Sequence, residues 1–320
     1  MDCGQFSSGR TCGLALAFCL LLLSLPVSAD ATAAKHRYFE RLSMLDLVIP
    51  GVDESRAVAL PTLVRGIYEL RSQQGSFIAY INEAATLEGH SKKFNVLPAQ
   101  PGAKARPLGD SELASLRREV MASIDYERLI TVRYGAGGGR RLVLFSAIDC
   151  GYCRKMEESL RKNAATVNTT FYIIPMSLRD VDRDGSASWQ NVSRIWCSGE
   201  SGQAWRSYWQ SGAIPPSASC DIDARSASQL AYQLRDILSA VGARMSGTPA
   251  IFREDGSKLT PSTNMSATEL AETYGPAGLP HVDAVSPYWL ADPGSAESAS
   301  STSTGGSALD LGGLLKKILK

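Results

Sequence analysis

The chain has 320 residues, enough for two domains. Apolar residues make up 44% and charged residues 20%, the balance of a chain that buries an ordinary core. With 33 Lys and Arg against 32 Asp and Glu, the net charge is +1, which excludes the strong basic excess of a nucleic-acid binder.

In chain order, the first element is an apolar run from Leu14 to Leu23, preceded by Arg10 and followed by the small-residue site Val27-Ser28-Ala29. That is the plan of a secretory signal peptide over residues 1–29. The run is shorter than the roughly 20 residues that a spanning helix needs. Export changes the cysteine count. Of seven cysteines, Cys3, Cys12 and Cys19 leave with the signal, and Cys150, Cys153, Cys197 and Cys220 remain. An even count in an exported chain points to disulfides. No metal is expected, because Cys197 and Cys220 do not form a second close pair and His36, His90 and His281 are not at ligand spacing.

Residues 30–109 read as a mixed unit with two or three strands in a meander, clearest in Ser76-Phe77-Ile78-Ala79-Tyr80-Ile81 after the turn at Gly75. A Pro/Gly-rich break over residues 98–110 ends it. Residues 110–126 read as a connector helix capped by Asp110 or Ser111, with Leu113, Leu116, Val120 and Ile124 on one stripe. Residues 127–290 then run strand, Cys-x-x-Cys helix, strand, helices, strand, strand, helix. Asp255-Gly256 marks a hairpin tip, and Ser266 with Glu269 marks a capping box. Trp196, Trp205, Tyr208 and Trp209 read as core packing of the helical stretch. Asp180, Asp182 and Asp184 resemble half of a calcium loop, but Asn191 stands where the closing Glu belongs, so a solvated acidic loop is expected. A Ser-rich linker and a short amphipathic tail with Leu311, Leu314, Leu315 and Ile318 on one face fill residues 291–320.

The chemistry sits in Cys150-Gly151-Tyr152-Cys153. An apolar strand precedes it and a helix begins at it. Helix-end N–H groups stabilise a thiolate at the first cysteine, and thiolate is the form that attacks disulfides. Cys150 is therefore the candidate nucleophile and Cys153, one turn on, the resolving thiol. Thr248-Pro249 stands where thioredoxin-type sites carry a cis proline, which leaves the Thr248 backbone open to pair with an incoming peptide. Cys197 and Cys220 read as a structural bridge across the helical stretch.

Together the motifs CGYC, IWC with SCDID, and SGTPAIF resemble the DsbC/DsbG disulfide isomerases of the bacterial periplasm, best over residues 142–275. The resemblance implies an α+β chain. A thioredoxin-like domain with a helical insert would follow a small cystatin-like dimerisation domain and the connector helix. It implies a homodimer, misoxidised exported proteins as clients, and a membrane thiol reductase that keeps Cys150 and Cys153 reduced. Gly151, Tyr152, Thr248 and Pro249 would support the dithiol, and no cofactor beyond the cysteine pair is expected. The alternatives are a net oxidase with the same fold, or an envelope assembly or chaperone subunit docked through its C-terminal tail.

Overall fold

The computed structural model describes residues 27–274 apart from Asp184 and residues 261–264. The expected signal segment before Val27 and the Ser-rich linker and tail lie outside the described residues.

The N-terminal unit is built on a helix, α1 (Val27–Met44), and a six-stranded antiparallel meander. The expected cleavage point after Ala29 falls in the first turn of α1. The strands are β1 (Val58–Pro61), β2 (Ile67–Arg71), β3 (Phe77–Asn82), β4 (Leu87–His90), β5 (Lys93–Val96) and β6 (Arg106–Pro107), paired in sequence order. The expectation of two or three strands is too few, and it lacks the helix. Strand alternation sorts the two faces of the sheet. Tyr68, Leu70, Ala79 and Ile81 pack with Ala31, Ala34, Tyr38 and Leu42 of α1. Ile67, Tyr80, Leu87 and Phe94 face the other way, into a core shared with the rest of the chain. On that second face Glu69 is buried, and Gln233 Nε2 donates to its Oε2 at 2.6 Å.

Helix α2 (Asp110–Ser123) joins the two units. Its N-cap is Gly109 rather than Asp110 or Ser111. The Glu112 carboxylate reaches back to accept from Gly109 N at 2.9 Å and is held by Arg106 at 2.8 Å. The cap position is thus set by an acid three residues on, which satisfies an otherwise unpaired N–H. Leu116, Val120 and Ile124 of the expected stripe are fully buried, and Leu113 is half-buried.

The second unit has a five-stranded sheet in the order β11-β10-β8-β9-β7. These are β7 (Ile130–Arg133), β8 (Arg141–Ala147), β9 (Thr170–Met176), β10 (Ala250–Phe252) and β11 (Lys258–Leu259). β8 and β9 run parallel, with Ala147 opposite Met176, and the other pairs are antiparallel. A parallel pair needs a crossover. Helix α3 (Gly151–Lys162) and the short α4 (Ala164–Val167) supply it. The helical insert is α5 (Ser186–Trp196), α6 (Ser201–Ser211) and α7 (Ala224–Ala240), and α8 (Ala267–Tyr274) closes the sheet. Ser266 Oγ accepts from Glu269 N while Ser266 N donates to Glu269 Oε2, a reciprocal cap. The central strands β8 and β9 are almost wholly buried, as a strand covered on both faces must be.

Asp182 pairs with Arg225 in the acidic loop and donates its backbone N–H to Asp180 Oδ1, while Asp184 lies outside the described residues. Trp196 and Trp205 are buried, and Tyr208 and Trp209 are half-buried.

Helix α6 packs on β7 through Gly202. A Cβ there would stand 2.3 Å from the Thr131 carbonyl oxygen. Gly202→Ala would add helix propensity, but the clash dominates. The expected result is a loss of roughly 1–3 kcal/mol, read as a lower urea midpoint. An unchanged or higher midpoint would show that α6 moves freely on the sheet.

Candidate active site

Cys150 is the N-cap of α3, with φ −98° and ψ 120°, so it leaves the strand extended and hands the chain to the helix. The N–H of Cys153 donates to Cys150 Sγ at 3.4 Å. The sulfur thus occupies the place that a Ser or Asp oxygen takes in an ordinary cap. Neither thiol is bonded in this structure. Cys150 keeps 7% of its surface exposed and Cys153 none, so attack from solvent reaches Cys150 alone. Cys153 Sγ accepts from Ala147 N at 3.4 Å, which ties the second sulfur to the end of β8.

Sheet topology brings Thr248 to the same place. β10 runs antiparallel to β8 with Ala250 opposite Phe145, so the loop entering β10 sits at the C-terminal end of β8. The Thr248–Pro249 bond is cis. The Cys150 thiol donates to the Thr248 carbonyl at 3.3 Å, across 98 positions of sequence. Gly151 and Tyr152 form the first turn of α3, and the Tyr152 ring is largely exposed. The structure therefore gathers Cys150, Gly151, Tyr152, Cys153, Thr248 and Pro249 at one end of the sheet.

Cys197 and Cys220 lie elsewhere. Their sulfurs are bonded with Cα atoms 5.1 Å apart, and they join the end of α5 to the segment before α7. By chain entropy such a bridge is worth about 3 kcal/mol. Both line a cleft of about 780 Å³ between the second unit and β1.

The two thiols of the dithiol differ electrostatically. Burial works against a Cys150 thiolate. The Thr248 side chain, the N–H and side chain of Cys153 and the N–H of Tyr152 outweigh that penalty and bring the Cys150 thiol below its ordinary value. Burial pushes the Cys153 thiol up to about 12, and the hydrogen bond to Cys150 adds to the rise. Low-pKa thiol outside and high-pKa thiol inside is the division of labour that an attacking and a resolving cysteine need.

Three residues near the dithiol have no part in the sequence motifs. Tyr208 Oη donates to Ile148 O at 2.8 Å and fastens α6 to the loop that carries Cys150. Asp149 accepts from Ser177 Oγ at 2.7 Å and from Leu178 N at 2.9 Å. Glu157 is buried one turn after Cys153 on the same face of α3, where Tyr134 Oη donates to it at 2.7 Å and Trp205 Nε1 at 2.9 Å. Helical spacing from Cys153 was the available signal for Glu157. Nothing local announces Tyr208.

Residues 129–274 match the family model described as a thioredoxin-like domain, and the sheet order and dithiol helix place this part of the chain in that class. The chain is similar to curated thiol:disulfide interchange proteins called DsbC, which agrees with the family its motifs resemble. A probable DsbC of Bordetella pertussis is 24% identical over 235 residues, covering 72% of this chain and 70% of the relative. The DsbC of Salmonella typhimurium is 26% identical over 211 residues, covering 64% and 75%. That of Escherichia coli K12 is 28% identical over 116 residues, covering 36% and 43%. A solved disulfide interchange protein of Neisseria gonorrhoeae overlays with a TM-score of 0.35 at 19% identity, covering 48% of this chain and 99% of its own.

Burial raises the Glu157 carboxyl above the ordinary 4.5, against the opposing pull of Tyr134, Trp205 and Arg206. An acid with a raised folded pKa favours the fold while protonated, and that contribution is lost as pH rises through the raised value. Glu157→Gln cannot ionise. Its stability relative to the wild type should therefore climb from about pH 4.5 upward, read by urea melts across pH. Parallel pH profiles of the two proteins would contradict a raised Glu157 carboxyl.

Proposed function

We propose that the protein is a thiol:disulfide interchange enzyme that corrects misoxidised exported proteins in the periplasm. The observation that carries this reading is the asymmetry of the dithiol: Cys150 caps α3 and keeps a little exposed surface, while Cys153 is fully buried and tied to the end of β8.

Cys150 thiolate attacks one sulfur of a client disulfide. The client S–S bond breaks, a Cys150–client bond forms, and the second client sulfur leaves as thiolate. From this mixed disulfide two routes open. Another client thiol attacks the client sulfur, which rearranges the pairing with no net oxidation. Alternatively, Cys153 loses its proton and attacks Cys150, which releases a reduced client and leaves Cys150–Cys153 oxidised. Burial of Cys153 disfavours the thiolate that this attack needs. The mixed disulfide then lasts long enough for client thiols to compete, which favours isomerisation.

The reduction route consumes two electrons, and the resemblance assigns their return to a membrane thiol reductase. It also assigns a homodimer. The dithiol is the redox group, and the reading invokes no other cofactor. Gly151 and Tyr152 form the helical turn between the two cysteines, and Thr248 and Pro249 present backbone to the client. Cys197–Cys220 is read as a staple on the insert. Export rests on the expected signal peptide. Among the described residues, no helix is long and apolar enough to cross a membrane.

The test is recovery of a protein with scrambled disulfides by the pre-reduced enzyme in a thiol buffer. The wild type should restore native pairing. Cys150→Ser should lose about a hundredfold or more, and Cys153→Ser should keep part of the isomerisation while losing net reduction. Full activity in Cys150→Ser would end this assignment.

A further inference from the structure

Among the described residues, seven large apolar side chains stand exposed, and two belong to the thioredoxin-like unit: Tyr152 at 69% and Leu178 at 59%. A single exposed leucine needs no explanation. Here both residues flank the nucleophile. Tyr152 is in the dithiol turn, and Leu178 is hydrogen-bonded to the residue just before Cys150.

Leu178 is also held in place. Ile148 N donates to Met176 O at 2.9 Å, so the segments leaving β8 and β9 run side by side. Beyond that point Asp149 binds the second segment with both carboxylate oxygens. Oδ2 accepts from Ser177 Oγ at 2.7 Å, Oδ1 accepts from Leu178 N at 2.9 Å, and Arg179 Nε lies 3.9 Å away. Ser177 Oγ in turn accepts from Arg179 N at 3.1 Å, and Trp189 Nε1 donates to Arg179 O at 2.8 Å. The backbone on both sides of Leu178 is thereby fixed, while its side chain points to solvent. The strand order β10-β8-β9 then places Thr248 on one side of Cys150 and Leu178 on the other.

We propose that Leu178 is an apolar anchor for the client segment next to the disulfide under attack, and that Asp149 is the positioning residue that holds it there. This deepens the interchange function and rests on it. The partner it fits is an extended, apolar polypeptide stretch of the kind exposed in a misfolded protein. One end pairs along the Thr248 backbone and the other lays a large apolar side chain against Leu178 and Tyr152. Reduction of that client turns its disulfide into two thiols as Cys150–Cys153 closes, and dithiothreitol reopens the pair.

The experiment compares two synthetic peptides with one disulfide each, flanked by leucine in one and by serine and glycine in the other. With dithiothreitol recycling, the wild type should prefer the leucine peptide by about fivefold in kcat/KM, with the difference carried by KM. Leu178→Ser should bring the ratio close to one. Asp149→Ala should do the same, whereas Asp149→Asn, which still accepts from Leu178 N, should keep the preference. Both Asp149 variants remove the same charge, so altered thiolate chemistry alone would move them together. Retention of the preference in Leu178→Ser, or equal loss in Asp149→Asn and Asp149→Ala, would overturn the anchor while leaving the interchange function standing. If the wild type reduces neither peptide, both fall.

Discussion

The contact between Cys150 Sγ and the N–H of Cys153 organises this molecule. A helix start leaves N–H groups without partners, and something must accept from them. In α3 the acceptor is a sulfur. The helix end is satisfied best when that sulfur is negative, and the sulfur is reactive only when negative. Local helix physics and redox chemistry therefore demand the same species. On the far side the Thr248 carbonyl accepts from the sulfur while it is protonated, so the nucleophile sits between a helix start and a distant loop.

The surroundings protect that arrangement. Cys153 is pinned to the end of β8 by Ala147 N and is fully buried. Tyr208 fastens α6 to Ile148, and Glu157 links α3 to both β7-proximal Tyr134 and α6 through Trp205. A buried carboxyl is an expensive way to join three elements, since it must remain hydrogen-bonded or protonated. What it provides is a fixed position for the helix that carries both sulfurs. The N-terminal sheet is part of the same solid: Ile67, Tyr80, Leu87 and Phe94 share a core with α2 and the second unit.

Much of the site was legible because its logic is local. A strand, a Cys-x-x-Cys and an amphipathic run announce a helix capped by its first cysteine. Pro249 was legible only through resemblance, since no local rule ties position 249 to position 150. The fold was less legible where backbone pairing outweighs side chains. Helix α1 buries Ala31 and Ala34, small residues that make a faint stripe among charges. β6 is Arg106–Pro107, two residues inside a Pro/Gly-rich break, and it joins the sheet by its position beside β5. The cap of α2 is not legible because Glu112 satisfies Gly109 from inside the helix, so the stronger capping residues Asp110 and Ser111 lie one and two residues too late. The role of Asp149 is not legible in the sequence, because it depends on Ser177 and Leu178, which only the parallel pairing of β8 and β9 brings near.

The most direct test of this account is the pH dependence of iodoacetamide labelling in the fully reduced protein, with each cysteine followed by mass. The account predicts that Cys150 labels with a midpoint below that of a free thiol, about 8.5, and that Cys153 stays unlabelled across the same range. A Cys150 midpoint at or above the free-thiol value, or equal labelling of the two cysteines, would contradict it.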